Sequence, residues 1–199
     1  MKLIKILLTV SLLSLMSSFA HADFEAEEKF VSSFADNAIN ILGSDTLSNA
    51  DRSSQFTDLV MRSIDINLIS KFVLSKFWKA ASDEQKTEYL EAFKEYFIAS
   101  YASKLDQYSG EKVVVISSEA SKKYVIVKSH IVRDGTDTLK IELDWRLLNR
   151  DGEIKIIDLN IEGISLIIAQ REEFQSFLNN HDNDLDALID KLKSINTKN

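Results

Sequence analysis

Leu139-Lys140-Ile141-Glu142-Leu143-Asp144-Trp145-Arg146-Leu147 alternates without a break between apolar and charged side chains. Successive side chains on a β-strand point to opposite faces, so Leu139, Ile141, Leu143, Trp145 and Leu147 share one side and Lys140, Glu142, Asp144 and Arg146 the other. A sheet built on this strand has one dry face and one wet face, as antiparallel sheets commonly do.

On either side of this stretch the period stays at two. Residues 113–118, 124–133, 139–148 and 154–162 read as four strands joined by short polar turns, among them Asp134-Gly135 and Asp151-Gly152. Connections this short make the strands antiparallel. In the fourth strand Ile154 and Ile156 alternate in one phase, and Ile157, Leu159 and Ile161 follow in the other. A β-bulge, or burial on both faces near Ile156, accounts for the slip.

Outside the strands the period changes to that of a helix. Phe30, Phe34, Ala38, Ile41 and Leu42 predict a helix over 24–42 that ends at Gly43, and a second is predicted over about 51–62. Asp65 offers a cap for a short third helix carrying Ile69, Phe72 and Val73. Ser82-Asp83-Glu84-Gln85 is a capping box with early acids that suit the positive helix end. It opens a helix expected to reach about Tyr108, with Leu90, Phe93, Phe97, Tyr101 and Leu105 on one face. After Gly163, one helix carries Leu166, Ile167, Phe174, Phe177 and Leu178; a last one carries Leu185, Leu188, Ile189, Leu192 and Ile195. The chain has no proline, and Gly110, Gly135 and Gly152 stand where the period changes, marking turns. The fold class is α+β: several helices packed on the apolar face of a curled antiparallel sheet of about four strands.

The N-terminus predicts export. Lys2 and Lys5 precede an apolar run from Ile6 to Phe19 that is short for a membrane span, and Ala20-His21-Ala22 has the small-residue pattern of a signal-peptidase site. Residues 1–22 are expected to be a signal peptide cleaved after Ala22, and 23–199 a single soluble domain. A lipoprotein anchor needs a cysteine at the cut, and the sequence has no cysteine. Residues 1–22 contain two lysines and no acid, so cleavage leaves 22 basic residues against 31 acidic, a net charge of −9. That balance argues against nucleic acid, whose binding needs a basic surface. Disulfides and thiolate metal sites are excluded as well.

Enzyme chemistry has little to work with. His130 falls in a strand and His181 in a polar loop, with no spacing suited to metal ligation or a nucleophile relay. No phosphate-binding glycine loop or dinucleotide fingerprint occurs. Asp144, Asp158 and Glu162 lie on or beside apolar strands, where one buried carboxylate inside a small α+β cone could transfer protons. Hydrogen bonding to backbone is the commoner role for acids at strand ends. No catalytic residue, metal or cofactor is expected.

Phe56-Thr57-Asp58-Leu59-Val60, Ile64-Asp65-Ile66, Val73 through Ser82, Phe93-Lys94-Glu95-Tyr96-Phe97 and Tyr101-Ala102 resemble, in that order, the periplasmic phospholipid-binding proteins of the MlaC family, also called toluene-tolerance auxiliary proteins. Asp158-Leu159-Asn160-Ile161-Glu162-Gly163-Ile164-Ser165-Leu166 is similar to that family's second signature. The chain departs from the pattern at Ser75, where glycine is usual, at Asp83, where proline is usual, and at Ile154, where tryptophan is common. None of these removes an apolar position from the interior.

The resemblance implies a periplasmic carrier holding phospholipid acyl chains in an apolar cavity between sheet and helices. It implies exchange with an outer-membrane lipoprotein–porin complex and with the MCE subunit of an inner-membrane ABC transporter, maintaining outer-membrane lipid asymmetry. The helix residues expected to contact lipid are Phe72, Trp78, Phe93, Phe97 and Tyr101. From the sheet come Leu143, Trp145, Leu147, Ile157, Leu159 and Ile161, with Ile164 just beyond. The alternatives are a periplasmic chaperone binding extended peptides at a groove or sheet edge, and a small-substrate lyase or isomerase with a titrating carboxylate in a compact pocket.

Overall fold

The computed structural model describes residues 24–102, 111–133 and 136–196. The predicted signal peptide, the end of the long helix beyond Ala102, and the turns at Gly110 and Asp134-Gly135 lie outside the described residues. Five helices come first: α1 (Glu25–Leu42), α2 (Asn49–Ser63), α3 (Ile66–Leu74), α4 (Lys76–Ala80) and α5 (Asp83–Ala102). A meander of β1 (Glu111–Ser121), β2 (Tyr124–Arg133), β3 (Thr136–Arg150), β4 (Glu153–Ile161) and β5 (Ile164–Ser165) follows, then α6 (Leu166–Asn179) and α7 (Leu185–Asn196). The strands pair antiparallel in the order β1-β2-β3-β4-β5. This is the expected α+β architecture, with five strands in place of about four. β5 has two residues, too few to carry a periodicity.

The alternation in β3 is realised as read: Leu143, Trp145 and Leu147 are buried while Glu142 is exposed and Asp144 and Arg146 half-exposed. The phase slip in β4 is a bulge. Arg146 pairs with Asp158 and Leu147 with Ile156, which leaves Ile157 without a partner. The slip puts Ile156, Leu159 and Ile161 opposite Leu147, Trp145 and Leu143, so all three reach the same apolar cluster. Two-residue loops close the hairpins that follow. Asp151 (φ 53°) and Gly152 (φ 89°) join β3 to β4, and Glu162 (φ 50°) and Gly163 (φ 81°) join β4 to β5. Two successive positive φ values make a type I′ turn, whose twist matches the flanking strands.

Helix starts follow the predicted chemistry. Asp65 accepts from Leu68 N at 2.9 Å. In the capping box Gln85 N donates to Ser82 Oγ and Ser82 N to Gln85 Oε1, both at 3.1 Å. The inward face of α5 is turned from the expected one. Tyr89, Ala92 and Phe93 are buried, whereas Leu90 is half-buried. Tyr89 can be fully enclosed because its hydroxyl donates to Ser70 O at 3.0 Å. α4, absent from the sequence reading, is five residues long and is set off from α3 by Ser75 (φ 57°, ψ −121°).

Most of the buried apolar residues fall into two clusters. One joins α2, α3, α4, α5, α6 and α7, with Phe93, Phe174, Leu178 and Leu188 inside it. The other lies between α1 and the sheet, around Val31, Val127, Trp145 and Leu147. Ile64, between α2 and α3, packs against both and bridges to Ile156 of β4. Asp65 N donates to Ile156 O at 3.0 Å, which ties helices to sheet at that point.

Candidate functional site

Where the two clusters meet there is an apolar chamber of about 130 Å³. Its sheet wall is Ile156 and Leu159 of β4, brought to one face by the bulge. The helical walls are Phe34 of α1, Phe56 and Val60 of α2, Ile69 of α3 and Phe97 of α5, with Ile64 beside them. Leu166 and Ile167, the first turn of α6, close it.

Among the described residues, the one polar residue on this wall is Asp158, whose side chain is 1% exposed. Its oxygens are occupied. Ser165 Oγ donates to Oδ2 at 2.7 Å, Arg146 Nη1 lies 3.3 Å from Oδ2, and Ile167 N donates to Oδ1 at 3.3 Å. Ser165 is also the N-cap of α6, accepting from Ile168 N at 3.2 Å. The carboxylate thus satisfies the start of α6 and leaves the chamber apolar. These three donors engage the acid that the isomerase alternative would use as its base.

A groove of about 270 Å³ between α3, α5 and α6 shares Ile69, Phe97, Leu166 and Ile167 with the chamber. Its rim is polar: Tyr96 donates to Gln170 Oε1 at 2.9 Å, and Gln170 Nε2 to Glu173 Oε2 at 3.1 Å. Burial, then the nearby Glu173 carboxylate, raises the Tyr96 phenol above its ordinary value, so it stays protonated as a donor. The chamber alone is below the roughly 300–1,000 Å³ of ordinary ligand sites, and the groove beside it shares four of its wall residues. A third space, about 330 Å³, is lined by Asp65, Lys94, Arg150, Glu153 and Lys155, whose charges make it unsuited to hydrocarbon.

The predicted site residues divide among several places. Phe97 and Leu159 line the chamber, and Phe93 lines the groove. Leu143, Trp145, Leu147 and Ile161 lie in the sheet cluster, where Trp145 meets Phe34 of the chamber wall edge-on at 5.6 Å. Trp145 Nε1 donates to Ser129 Oγ, and that hydroxyl to Leu143 O, both at 2.9 Å, so the indole is held within the sheet. Ile157 is buried but belongs to neither cluster and does not line the chamber. Trp78 packs at the margin of the helical cluster, and the Tyr101 side chain lies outside the described residues.

Phe72 and Ile164 are at the surface, 41% and 63% exposed. α3 turns Ile66, Ile69, Ser70 and Val73 inward, which leaves Phe72 beneath Arg171 of α6; Ile164 sits on the two-residue β5. The sequence reading missed Phe34, Phe56, Val60, Ile64, Ile69, Ile156, Leu166 and Ile167 as wall residues. The available signal was the Phe56/Val60 pair, four apart on α2, and an acid, Asp158, set between Ile157 and Leu159.

A family model described as MlaC protein matches residues 32–194. The intermembrane phospholipid transport system binding protein MlaC of Haemophilus influenzae is 24% identical over 133 residues, 65% of this chain and 61% of its own. The toluene tolerance protein ttg2D of Pseudomonas putida is 26% identical over 129 residues, 64% of this chain and 59% of its own. The chain therefore spans about three fifths of the length of the curated relatives it matches. A phospholipid-binding protein from Ralstonia solanacearum, solved in complex with a phospholipid, has the same fold: TM-score 0.72, 86% of this chain and 97% of that one, at 21% identity.

Proposed function

The chain belongs to the MlaC family, and from that premise we propose that it is a phospholipid carrier that encloses acyl chains in the chamber between β4 and the helices. The observation that carries this reading is the wall itself: ten apolar residues and one carboxylate whose oxygens are turned to other partners. Each buried methylene is worth about 0.8 kcal/mol, so two long acyl chains represent roughly 20 kcal/mol or more that must stay out of water. An apolar wall is the kind of surface that demand calls for, and a polar rim at the neighbouring groove suits the point where a headgroup meets solvent. The lipid-bearing structure of the same fold and the name of the Haemophilus influenzae relative support the cargo.

The finer reading is that the protein works in the periplasm after loss of residues 1–22, as a single domain over 23–199 with no cofactor and no catalysis. It receives and delivers lipid at an outer-membrane lipoprotein–porin complex and at the MCE subunit of an inner-membrane ABC transporter. Direction is then set by mass action and by those partners. Among the predicted contacts, Phe97 and Leu159 touch the acyl chains directly and Trp145 backs the wall through Phe34. The reading is tested by transfer of labelled phospholipid between donor and acceptor vesicles. Transfer should rise with protein concentration, and a rate equal to spontaneous transfer at every concentration would refute carriage.

A further inference from the structure

Between Asp65 and Asp83 the chain runs from 66 to 82 without an acid, although 31 of its 199 residues are acidic. The same stretch carries Lys71, Lys76 and Lys79, all exposed on α3 and α4, and among the described residues none of them is in an ion pair. Two lie over aromatic rings, Lys71 Nζ 5.3 Å from the Trp78 centroid and Lys76 Nζ 4.9 Å from that of Phe77. From α6 the Arg171 guanidinium covers Phe72 at 5.2 Å, and Ile168 on the same helix is also exposed.

Phe77 itself is buried, so the exposed apolar groups of this face are Phe72 and Ile168; flanked by cations on long stems, they have the chemistry of a bilayer interface, where apolar groups enter the headgroup region and charges stay among the phosphates. We propose that the face formed by α3, α4 and the start of α6 docks on an anionic phospholipid surface. Charge complementarity selects the occupant: the patch is basic on a chain whose net charge is −7, so an anionic surface attracts this face against the repulsion of the chain as a whole. A lipid surface fits better than an acidic protein because Phe72 and Ile168 would be left against water by a purely ionic partner. α3 and α6 also supply Ile69, Val73, Leu166 and Ile167 to the groove, so the helices that carry this face also line the groove. This inference goes beyond the carrier reading and is tested without transfer.

The chain beginning at Asp23, which holds every described element, is sedimented with vesicles of equal phosphatidylglycerol and phosphatidylcholine, and with phosphatidylcholine alone, at low and high salt. Binding to the anionic vesicles should exceed that to neutral ones and fall as salt rises. The triple variant Lys71→Glu, Lys76→Glu, Lys79→Glu should bind at least about tenfold more weakly, from about 1 kcal/mol per cation at the surface. Phe72→Ser should weaken binding at both salt concentrations, and circular dichroism confirms that each variant is folded. Equal binding to neutral and anionic vesicles, or a triple variant that binds as the parent does, overturns the proposal. Absence of vesicle binding with salt-sensitive capture of an acidic protein would assign the face to a protein partner instead. Each result leaves lipid carriage to be decided by its own transfer assay.

Discussion

Ser165 Oγ donates to Asp158 Oδ2 at 2.7 Å while accepting from Ile168 N at 3.2 Å, so one hydroxyl couples the buried acid of β4 to the first turn of α6. That turn supplies Leu166 and Ile167 to both the chamber and the groove. Ser165→Ala should cost about 1 kcal/mol as a lost helix cap. Asp158→Ala should cost about 1–3 kcal/mol, because Ile167 N and Ser165 lose their acceptor, while Arg146, 37% exposed, turns to water. Urea midpoints check both, and midpoints equal to the parent's would mean that the network does not hold α6.

Alkaline pH should unfold the protein through Tyr89. Burial raises this phenol well above its ordinary value of 10.0. The folded state therefore binds the proton more tightly than the unfolded chain. The contribution is complete below pH 10 and declines as pH rises through the folded-state value. Tyr89→Phe should lower stability at neutral pH by about 1 kcal/mol, since Ser70 O loses its donor, and should flatten the loss of stability above pH 10. Identical alkaline slopes in parent and variant would contradict this.

Ser75 holds φ 57° and ψ −121° between α3 and α4, the mirror image of the first central position of a type II turn. Glycine adopts this conformation freely and other residues do so at a cost of about 1–3 kcal/mol. Ser75→Gly should stabilise the protein by up to about 1 kcal/mol after the added unfolded-state entropy is deducted. A destabilised Ser75→Gly variant would show that the serine side chain compensates for the strain.

Filling the chamber should separate cargo from stability. Ile167→Trp places a larger side chain on the wall shared by chamber and groove and should weaken phospholipid binding by about fivefold or more, from about 1–3 kcal/mol of overpacking. Leu143→Ala removes a buried side chain from the sheet cluster and should cost about 2–5 kcal/mol of stability with occupancy largely kept. The reverse pattern would place the acyl chains against the central strands.

The fold was legible where a local pattern carries it. The alternation of β3 gave the sheet its faces, the phase slip at Ile156 and Ile157 announced the bulge, and Ser82-Asp83-Glu84-Gln85 fixed the start of α5. β5 and α4 are too short to show a period. The chamber was only partly legible, because its wall runs from Phe34 to Ile167 across β4 and five helices and no single stretch contains it. Large aromatic and sheet residues drew the sequence reading toward Trp145 and Leu147, which lie in the sheet cluster behind the chamber wall. Phe72 and Ile164 fall outside because α3 presents another stripe and the hairpin at Glu162-Gly163 ends β4 before Ile164.

The central claim is that the protein holds phospholipid, and mass spectrometry of an organic extract tests it most directly. The chain is purified without detergent from its own cell envelope, beside an unrelated secreted protein handled identically. The account predicts phospholipid in a fixed ratio to folded protein, reduced in Ile167→Trp and absent from the control. Folded protein carrying no more phospholipid than the control would contradict it and leave the apolar chamber without its cargo.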